Sequence, residues 1–199
     1  MKLILASASP RRAELLSQSG YVFAIQPADL DESKVFADSP GELAQRLANA
    51  KAAKVAEGFP DDVVLAADTI VCLGEEVLGK PLDAGDARRM LHILSGTTQV
   101  VITGLCVVRK NAEYQQTSKV MSAVRMDNLT AEQIQQYVDS GEWQGKAGGY
   151  GIQDDDPFVT RIAGSHSNVV GLPVVVARQM LERAGIVPEA HSKASAPMD

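Results

Sequence analysis

The amino-acid sequence predicts an α/β protein with a mixed sheet and flanking helices, and three observations point to this fold class. The run Val63–Ala67 is continuously apolar, which is typical of a central strand buried on both faces. Strand-like runs such as Thr69–Leu73 and Val77–Leu78 are separated by short turns, which indicates antiparallel hairpins. Several amphipathic segments begin at an N-cap residue and end near glycine, as helices do. Together these patterns favour one sheet of mixed direction covered by helices.

The first part of the chain alternates strands and helices. Ser9 and Pro10 form an N-cap followed by proline at the first helical position, and Ser39 to Glu42 read as a capping box. The elements predicted here are a strand over Leu3–Ala6, a helix from Pro10 to about Gln18, a strand over Tyr21–Gln26, a polar loop over Pro27–Asp38, a helix ending before Gly58, and the strand Val63–Ala67.

The second part of the chain adds hairpins, three helices and a glycine-rich segment. Asp83 is the expected cap of one helix, and Thr130 with Gln133 forms a capping box for the next. The elements predicted here are the hairpin of Thr69–Leu73 with Val77–Leu78, a helix over about Ala84–Leu94, strands over Val100–Val108 and roughly Thr117–Met126, a helix from Thr130 to Ser140, the glycine-rich segment Gly145–Gly151, a strand over Phe158–Ile162 and a helix from Leu172 to Gly185. We expect a single domain over residues 1–187 and a flexible tail over 188–199, which is small and polar.

Composition and charge exclude several classes of protein. The chain has 199 residues, of which 45% are hydrophobic and 22% charged, as in a globular protein. A formal net charge of −6 argues against a protein that coats nucleic acid. The first apolar stretch is too short for a signal peptide and no run is long enough to span a membrane, so we expect a cytoplasmic protein without a membrane partner. Cys72 and Cys106 lie in apolar runs and are expected to be reduced core thiols.

A polar segment, Ser7-Ala8-Ser9-Pro10-Arg11-Arg12, joins the first predicted strand to the first helix. Two hydroxyl groups, two guanidinium groups and the unpaired N–H groups of the helix start converge there, at the positive end of the helix dipole. Such groups bind phosphate or carboxylate, and arginine does so with two parallel hydrogen bonds. The alternative is a capped helix with two solvated arginines.

Asp68 and Thr69 follow directly on the apolar central strand. Proteins of the α/β class bind ligands at the carboxyl ends of their strands, so we expect Asp68 to lie at such an end. A buried carboxylate costs free energy and is therefore usually bound to a cation or engaged in proton transfer. The alternative is an aspartate that only opens a turn.

Two lysines are further candidates for binding an anion. Lys80 lies between Gly79 and Pro81, which restrict its position, and its ammonium group is a point charge suited to phosphate. Lys51 lies on a predicted helix, one turn from Leu47. The alternatives are an ordinary surface lysine for the first and, for the second, a side chain that extends along the apolar surface to reach water.

The segment from Gly145 to Gln153 has four glycines in seven residues, so that its backbone can approach a ligand closely. Its spacing matches neither a Walker A loop nor a dinucleotide-binding fingerprint. The acidic run Asp154-Asp155-Asp156 offers metal ligands, but a run of this kind is more often a solvated loop. The histidines show no ligand spacing and are assigned no role.

Taken together, these segments resemble the Maf family of nucleotide pyrophosphatases, whose fold is of the inosine-triphosphatase-like class with a nucleotide cleft. The sequence departs from the family pattern at Gln99, where histidine is frequent, and at Asp154-Asp155-Asp156, where glycine is common. The segments that carry the resemblance are Leu5-Ala6-Ser7-Ala8-Ser9-Pro10-Arg11-Arg12, Asp31-Glu32, Arg46-Leu47-Ala48, Lys51-Ala52, Ala67-Asp68-Thr69, Gly79-Lys80-Pro81, Leu94-Ser95-Gly96, Thr103-Gly104, Lys146-Ala147-Gly148, Tyr150-Gly151-Ile152-Gln153 and Val169-Val170-Gly171-Leu172-Pro173.

The resemblance implies hydrolysis of a nucleoside triphosphate to the monophosphate and pyrophosphate, with a divalent cation, Mg²⁺ or Mn²⁺. It implies that Asp68 activates the attacking water, directly or through the metal, and that Glu32 is the second metal ligand. Lys51 and Lys80 would neutralise charge on the phosphate oxygens. The residues that the resemblance assigns to the substrate are Ser7, Ser9, Arg11, Arg12, Thr69 and Gln153, and those it assigns to catalysis are Asp68, Glu32, Lys51 and Lys80.

Three positions distinguish the subgroups of the family. At Arg11, Thr69 and Gln153 the chain resembles the dTTP/UTP subgroup, and a glutamine amide suits the edge of uracil or thymine. The alternatives are a 7-methyl-GTP pyrophosphatase of the same family and a nucleotide-binding cell-division inhibitor without turnover. Two acids beside a polyanion argue against a role in binding alone. The sequence leaves open whether the chain forms a homodimer.

Overall fold

The computed structural model of the chain describes residues 1–152 and 158–189. The helices of these residues are α1 (Pro10–Gln18), α2 (Pro40–Ala56), α3 (Ala84–Leu94), α4 (Ala131–Ser140), α5 (His166–Val170) and α6 (Val174–Arg183). The strands are β1 (Leu3–Leu5), β2 (Ala24–Ile25), β3 (Val63–Leu73), β4 (Glu76–Leu78), β5 (Thr98–Arg109), β6 (Tyr114–Met126) and β7 (Val159–Ala163). The predicted fold class, a mixed sheet with flanking helices, is confirmed.

The strands form one sheet in the order β2-β1-β3-β5-β6-β7, and β4 pairs with β3. Strand β1 runs parallel to β2 and β3, and the other pairs are antiparallel. Because β5 occupies one edge of β3 over most of its length, β1 and β4 share the other edge. Strand β1 pairs with β3 as far as Leu65, and β4 pairs from Val71 onward. Among the described strands, none pairs with this edge from Ala66 to Ile70, so the sheet has a gap there.

Helices cover both faces of the sheet. Helix α2 packs on one face through small side chains, among them Ala48, Ala52 and Ala56, over Ala66 and Cys106. On the other face, α1 and α6 cover the part of the sheet that contains β1, and α3 and α4 cover the opposite part. Strand β3 is therefore buried on both faces, as its unbroken apolar run predicts.

Gly104 on β5 allows α2 to lie directly against the sheet. A Cβ atom at this position would come within 2.2 Å of the Ala44 carbonyl oxygen on α2. Gly104 is also the register partner of Asp68 on β3. The missing side chain therefore sets the distance between α2 and Asp68.

We expect Gly104→Ala to lower the free energy of unfolding by about 1–3 kcal/mol, because the new methyl group meets backbone atoms that cannot rotate away. Urea denaturation measures this loss. Gly79→Ala is the matched control, since a Cβ there has no atom within 4 Å. Equal stability of the two variants would contradict a close approach of α2 at Gly104.

The structure differs from the predicted elements at four places. Strand β2 covers only Ala24–Ile25, because its edge is paired with β1 alone and β1 is short. The prediction that Asp68 ends a strand is wrong, since β3 continues to Leu73. The short helix α5 was not predicted. The Ser39 hydroxyl accepts from the Glu42 amide, but the Glu42 carboxylate accepts from the Asp38 amide instead of closing a capping box.

Both cysteines lie in the core, as their apolar runs predict. Cys72 and Cys106 are free and buried, and burial raises the pKa of the Cys106 thiol to about 12. Within residues 1–152 and 158–189, no helix has the length and apolar character needed to cross a membrane. At the start of the predicted tail, the Glu189 amide donates to the Gly20 carbonyl at 2.8 Å. Residues 190–199 lie outside the described part of the chain.

Candidate active site

A cavity of about 390 Å³ lies at the gap in the sheet, beside the segment that follows β1. Five of its lining residues, Arg11, Arg12, Lys51, Lys80 and Lys146, are cationic. Glu32 also lines it, and Thr69 lies in its wall on β3. Because neighbouring residues of a strand point to opposite faces, Asp68 lies on the α2 side of β3 and Thr69 on the α1 side. A ligand at the gap can therefore be reached from both faces of the sheet.

Lys51 joins the two predicted acids in one cluster. Its Nζ atom lies 2.5 Å from an Asp68 carboxylate oxygen and 2.8 Å from a Glu32 carboxylate oxygen. Asp68 is held by pairing of β3 with β5, and Lys51 by the packing of α2 on the sheet. Glu32 begins a single 3-10 turn over Glu32–Lys34, which the Asp31 side chain caps. Two carboxylates on one lysine leave the cluster with a net negative charge.

The burial of Lys51 argues against the alternative in which its side chain only extends along the apolar surface to reach water. Its side chain is 11% exposed and that of Asp68 is 10% exposed, whereas that of Glu32 is 49% exposed. Asp68 and Lys51 thus form a buried ion pair, and the half-exposed Glu32 carboxylate contacts Lys51 from the solvent side. A buried carboxylate at mid-strand is tolerated because this ammonium group offsets its charge.

The acids also fit a divalent cation. Asp68 and Glu32 each place one carboxylate oxygen against Lys51 Nζ and keep a second oxygen, and Mg²⁺ and Mn²⁺ prefer carboxylate oxygens as ligands. The described residues contain no group of three or more histidine, cysteine, aspartate or glutamate side chains able to hold a metal. Two protein carboxylates suit an ion that keeps several waters and shares the oxygens of a bound phosphate.

Arg12 is fixed in the wall of the cavity by three hydrogen bonds. Its Nε donates to the Gly171 carbonyl at 2.8 Å, and its two terminal nitrogens donate to Ser7 Oγ at 3.2 Å and Thr69 Oγ1 at 3.0 Å. Burial lowers the pKa of this guanidinium, and the Asp68 carboxylate opposes the shift. The Arg12 guanidinium is thus held in one orientation, and its remaining N–H groups are available to a ligand.

Ser7 is left with one hydrogen-bonding function toward the cavity. Its Oγ accepts from Arg12 and, at 3.2 Å, from the Ser9 amide. A hydroxyl group accepts two hydrogen bonds and donates one, so the hydroxyl hydrogen is what remains for a ligand. Ser9 has a different role, because its Oγ caps α1 by accepting from the Arg12 amide. Ser7 is therefore suited to an acceptor such as a phosphate oxygen.

The other cations lie around the mouth of the cavity. Arg11 donates to the Gly145 carbonyl at 3.0 Å and so links α1 to the glycine-rich segment. Lys80 is exposed and has no carboxylate partner among the described residues. Lys146 Nζ lies 3.5 Å from the Tyr137 hydroxyl, and Gly151 leaves room for it, since a Cβ there would lie 2.8 Å from the same Nζ.

The structure therefore brings together most of the predicted site residues. Glu32, the lysines, both arginines, Ser7, Ser9 and Thr69 line the cavity, and Ser9 also caps α1. Asp68 is not part of the lining and reaches the cavity through its ion pair with Lys51. Gln153 and the acidic run Asp154-Asp155-Asp156 lie outside the described residues. Sequence reasoning assigned no site role to Lys146, Thr103 or Gly171. The motifs that contain them are visible in the sequence, but nothing in their spacing indicates that Lys146 and Gly171 line the cavity or that Thr103 is buried against Thr69.

Known proteins resemble the chain over almost its whole length. Its sequence is 45% identical to a protein of Koribacter versatilis, with 94% of this chain and 96% of the relative covered, and 47% identical to one of Cereibacter sphaeroides with the same coverage. A Symbiobacterium thermophilum relative is 47% identical over 92% of this chain and 94% of its own length. All three are named dTTP/UTP pyrophosphatase.

The fold is also found in a solved structure. A HAM1 protein from Coxiella burnetii matches with a TM-score of 0.50 over 92% of this chain and 99% of its own length, at 15% identity. That likeness concerns the fold alone. The family model described as Maf-like protein matches residues 2–184. With this match and relatives above 40% identity over nine-tenths of the chain, the protein belongs to the Maf-like family.

Proposed function

We propose that the protein hydrolyses dTTP and UTP to the nucleoside monophosphate and pyrophosphate. The observation that carries this proposal is the Glu32–Lys51–Asp68 cluster at the edge of a cavity lined by further cations. Acids held beside a cationic cavity suit attack on a polyanion, because the cations bind the phosphates and an acid activates water. The names of the similar proteins supply the nucleotide class.

The triphosphate is proposed to lie along the cationic wall. Ser7 donates its hydroxyl hydrogen to a phosphate oxygen, and Arg12 donates its remaining N–H groups. The N-terminus of α1 adds partial positive charge beside them. Lys80 and Lys146 stand at the mouth, where the outer phosphates extend toward solvent. The net result is a positive surface that matches a highly charged substrate.

Asp68 is proposed as the general base. Its carboxylate accepts a proton from the attacking water, and Lys51 holds the carboxylate in place through the ion pair. The water oxygen forms a bond to the α-phosphorus, the bond from the α-phosphorus to the oxygen bridging to the β-phosphorus breaks, and pyrophosphate leaves with the electron pair of that bond. Glu32 and Asp68 together would hold Mg²⁺ or Mn²⁺, which supplies Lewis-acid polarisation of phosphate oxygens when bound.

Base selection is proposed for Arg11, Thr69 and Gln153. The Gln153 amide can donate to a carbonyl oxygen of uracil or thymine, and Thr69 can accept from the N3–H between the two carbonyls. A 7-methylated guanine is cationic, and an arginine with a neutral amide is a poor partner for it. That the protein is cytoplasmic stays a prediction, and the sequence leaves its oligomeric state open.

A panel of triphosphates assayed for pyrophosphate release, with and without Mg²⁺, tests the proposed function. We expect dTTP and UTP to be cleaved at similar rates, since a buried 5-methyl group contributes only about 0.8 kcal/mol. We expect 7-methyl-GTP to be a poor substrate. Binding without turnover would support the division-inhibitor alternative, and preference for 7-methyl-GTP would support the other subgroup.

We expect Lys80→Ala to lower kcat/KM for dTTP about tenfold, because it removes a charge that solvent partly screens. Steady-state kinetics measure the change. Lys110→Ala is the control, since Lys110 is also exposed but lies outside the cavity lining. If both variants retained wild-type kinetics, Lys80 would have no part in binding the triphosphate.

A further inference from the structure

A chain of three hydroxyl and carbonyl groups runs from Arg12 into the protein interior. Thr69 and Thr103 are register partners on β3 and β5, and their Oγ1 atoms lie 2.9 Å apart. Thr103 is fully buried, and its hydroxyl donates to the Asn168 carbonyl oxygen at 3.1 Å. Asn168 is anchored in turn, because its side-chain amide donates to the Val101 carbonyl and to Ser122.

The direction of these hydrogen bonds can be worked out from their two fixed ends. A guanidinium can only donate and a carbonyl can only accept. Arg12 therefore donates to Thr69, and Thr103 donates to Asn168. Thr103 has a single hydroxyl hydrogen, so in this arrangement Thr69 is the donor in the contact between the two threonines.

A second arrangement would send the Thr69 hydrogen to the Gly171 carbonyl and the Thr103 hydrogen to Thr69. That contact with Gly171 measures 3.5 Å, against 3.1 Å for the contact of Thr103 with Asn168, so the first arrangement is favoured. In both arrangements the protein engages the hydroxyl hydrogen of Thr69. In the favoured one, a single lone pair of Thr69 remains for the cavity.

We infer that Thr103 sets the hydrogen-bonding polarity of Thr69, so that Thr69 presents only an acceptor and selects bases with a ring N–H. Uracil and thymine carry a hydrogen at N3, whereas cytosine presents a lone pair there and would face a second lone pair. This inference rests on the proposed function, in which Thr69 faces the base. Thr103 does not touch the substrate and is a positioning residue.

Thr103→Val tests the inference because it keeps the shape of the side chain and removes the hydroxyl. The Asn168 carbonyl keeps its bond from the Gly171 amide at 3.0 Å, so no buried acceptor is orphaned. The hydrogen of Thr69 is then free to turn toward the ligand. We expect the ratio of kcat/KM for UTP to that for CTP to fall about tenfold, and Thr103→Ser to restore it.

Thr117→Val on β6 is the matched control, since its hydroxyl bonds to Asn49 away from the cavity. If Thr103→Val does not fold, Thr103→Ala offers the same readout without added bulk. An equal loss for UTP and CTP, or an unchanged ratio in a folded variant, would overturn the inference. A wild-type protein that cleaves neither UTP nor dTTP would instead overturn the proposed function.

Discussion

Asp68→Asn is expected to reduce turnover of dTTP by about 10²–10⁴, the usual loss when a general base is removed. The amide is nearly isosteric, and its oxygen can still accept from Lys51, so the ion-pair geometry is kept as a hydrogen bond. What is lost is the ability to take a proton and to bind a hard cation well. Steady-state kinetics give the loss, and thermal denaturation reports whether the fold is intact.

Two controls separate catalysis from folding and binding. Asp86→Asn removes an aspartate that pairs with Arg89 on α3, outside the cavity lining, and should leave activity within about twofold. A non-hydrolysable α,β-methylene analogue of dUTP should still protect Asp68→Asn against thermal unfolding. Activity within a few-fold of wild type would remove Asp68 from the mechanism.

Lys51→Met is expected to lower kcat/KM by about 10²–10³, similar to the loss of one fixed donor from an oxyanion hole. Methionine fills most of the same volume but removes the ammonium group that lies between the Asp68 and Glu32 carboxylates. Their repulsion should displace the base and weaken binding of the triphosphate. Excess Mg²⁺ should recover part of the loss, because a divalent ion can occupy the point between the two carboxylates.

Lys54→Met provides the matched control on the same helix. Lys54 is 52% exposed and its contact with Glu57 is 3.7 Å, so its removal should change neither activity nor stability measurably. A Lys51→Met protein that binds and turns over dTTP like the control would show that Lys51 only extends toward water.

Local patterns predicted the elements well where burial and capping agree. Asp83 and Thr130 begin α3 and α4 as expected, because N-caps depend on neighbouring residues alone. The sequence does not predict the full extent of β3, because a carboxylate at Asp68 interrupts the apolar run. Its charge is offset by Lys51, a residue of another element, and no local pattern carries that information.

In the candidate site, too, features that depend on neighbouring residues were predicted and features that depend on distant residues were not. The types and order of its residues were apparent from the sequence and from its resemblance to a family. Their arrangement was not apparent, because it depends on contacts between elements that are distant in the sequence. Gly104 allows α2 to approach the sheet, and the Gly171 carbonyl accepts a hydrogen bond from Arg12. Thr103 is one of many threonines in a strand, and only its register with Thr69 gives it a role.

The gap in the sheet has a consequence for how the protein avoids edge-to-edge aggregation. The backbone groups of Leu65 face β1, and by strand alternation those of Ala67 and Thr69 face the open edge. Unpaired strand edges ordinarily invite another chain to add a strand and aggregate. Here β1 and β4 lie at the two ends of the open edge. The edge is therefore long enough for a small molecule but too short for another chain to add a strand. The protein thus leaves the backbone groups of Thr69, on a central strand, facing the cavity without the hazard of edge-to-edge aggregation.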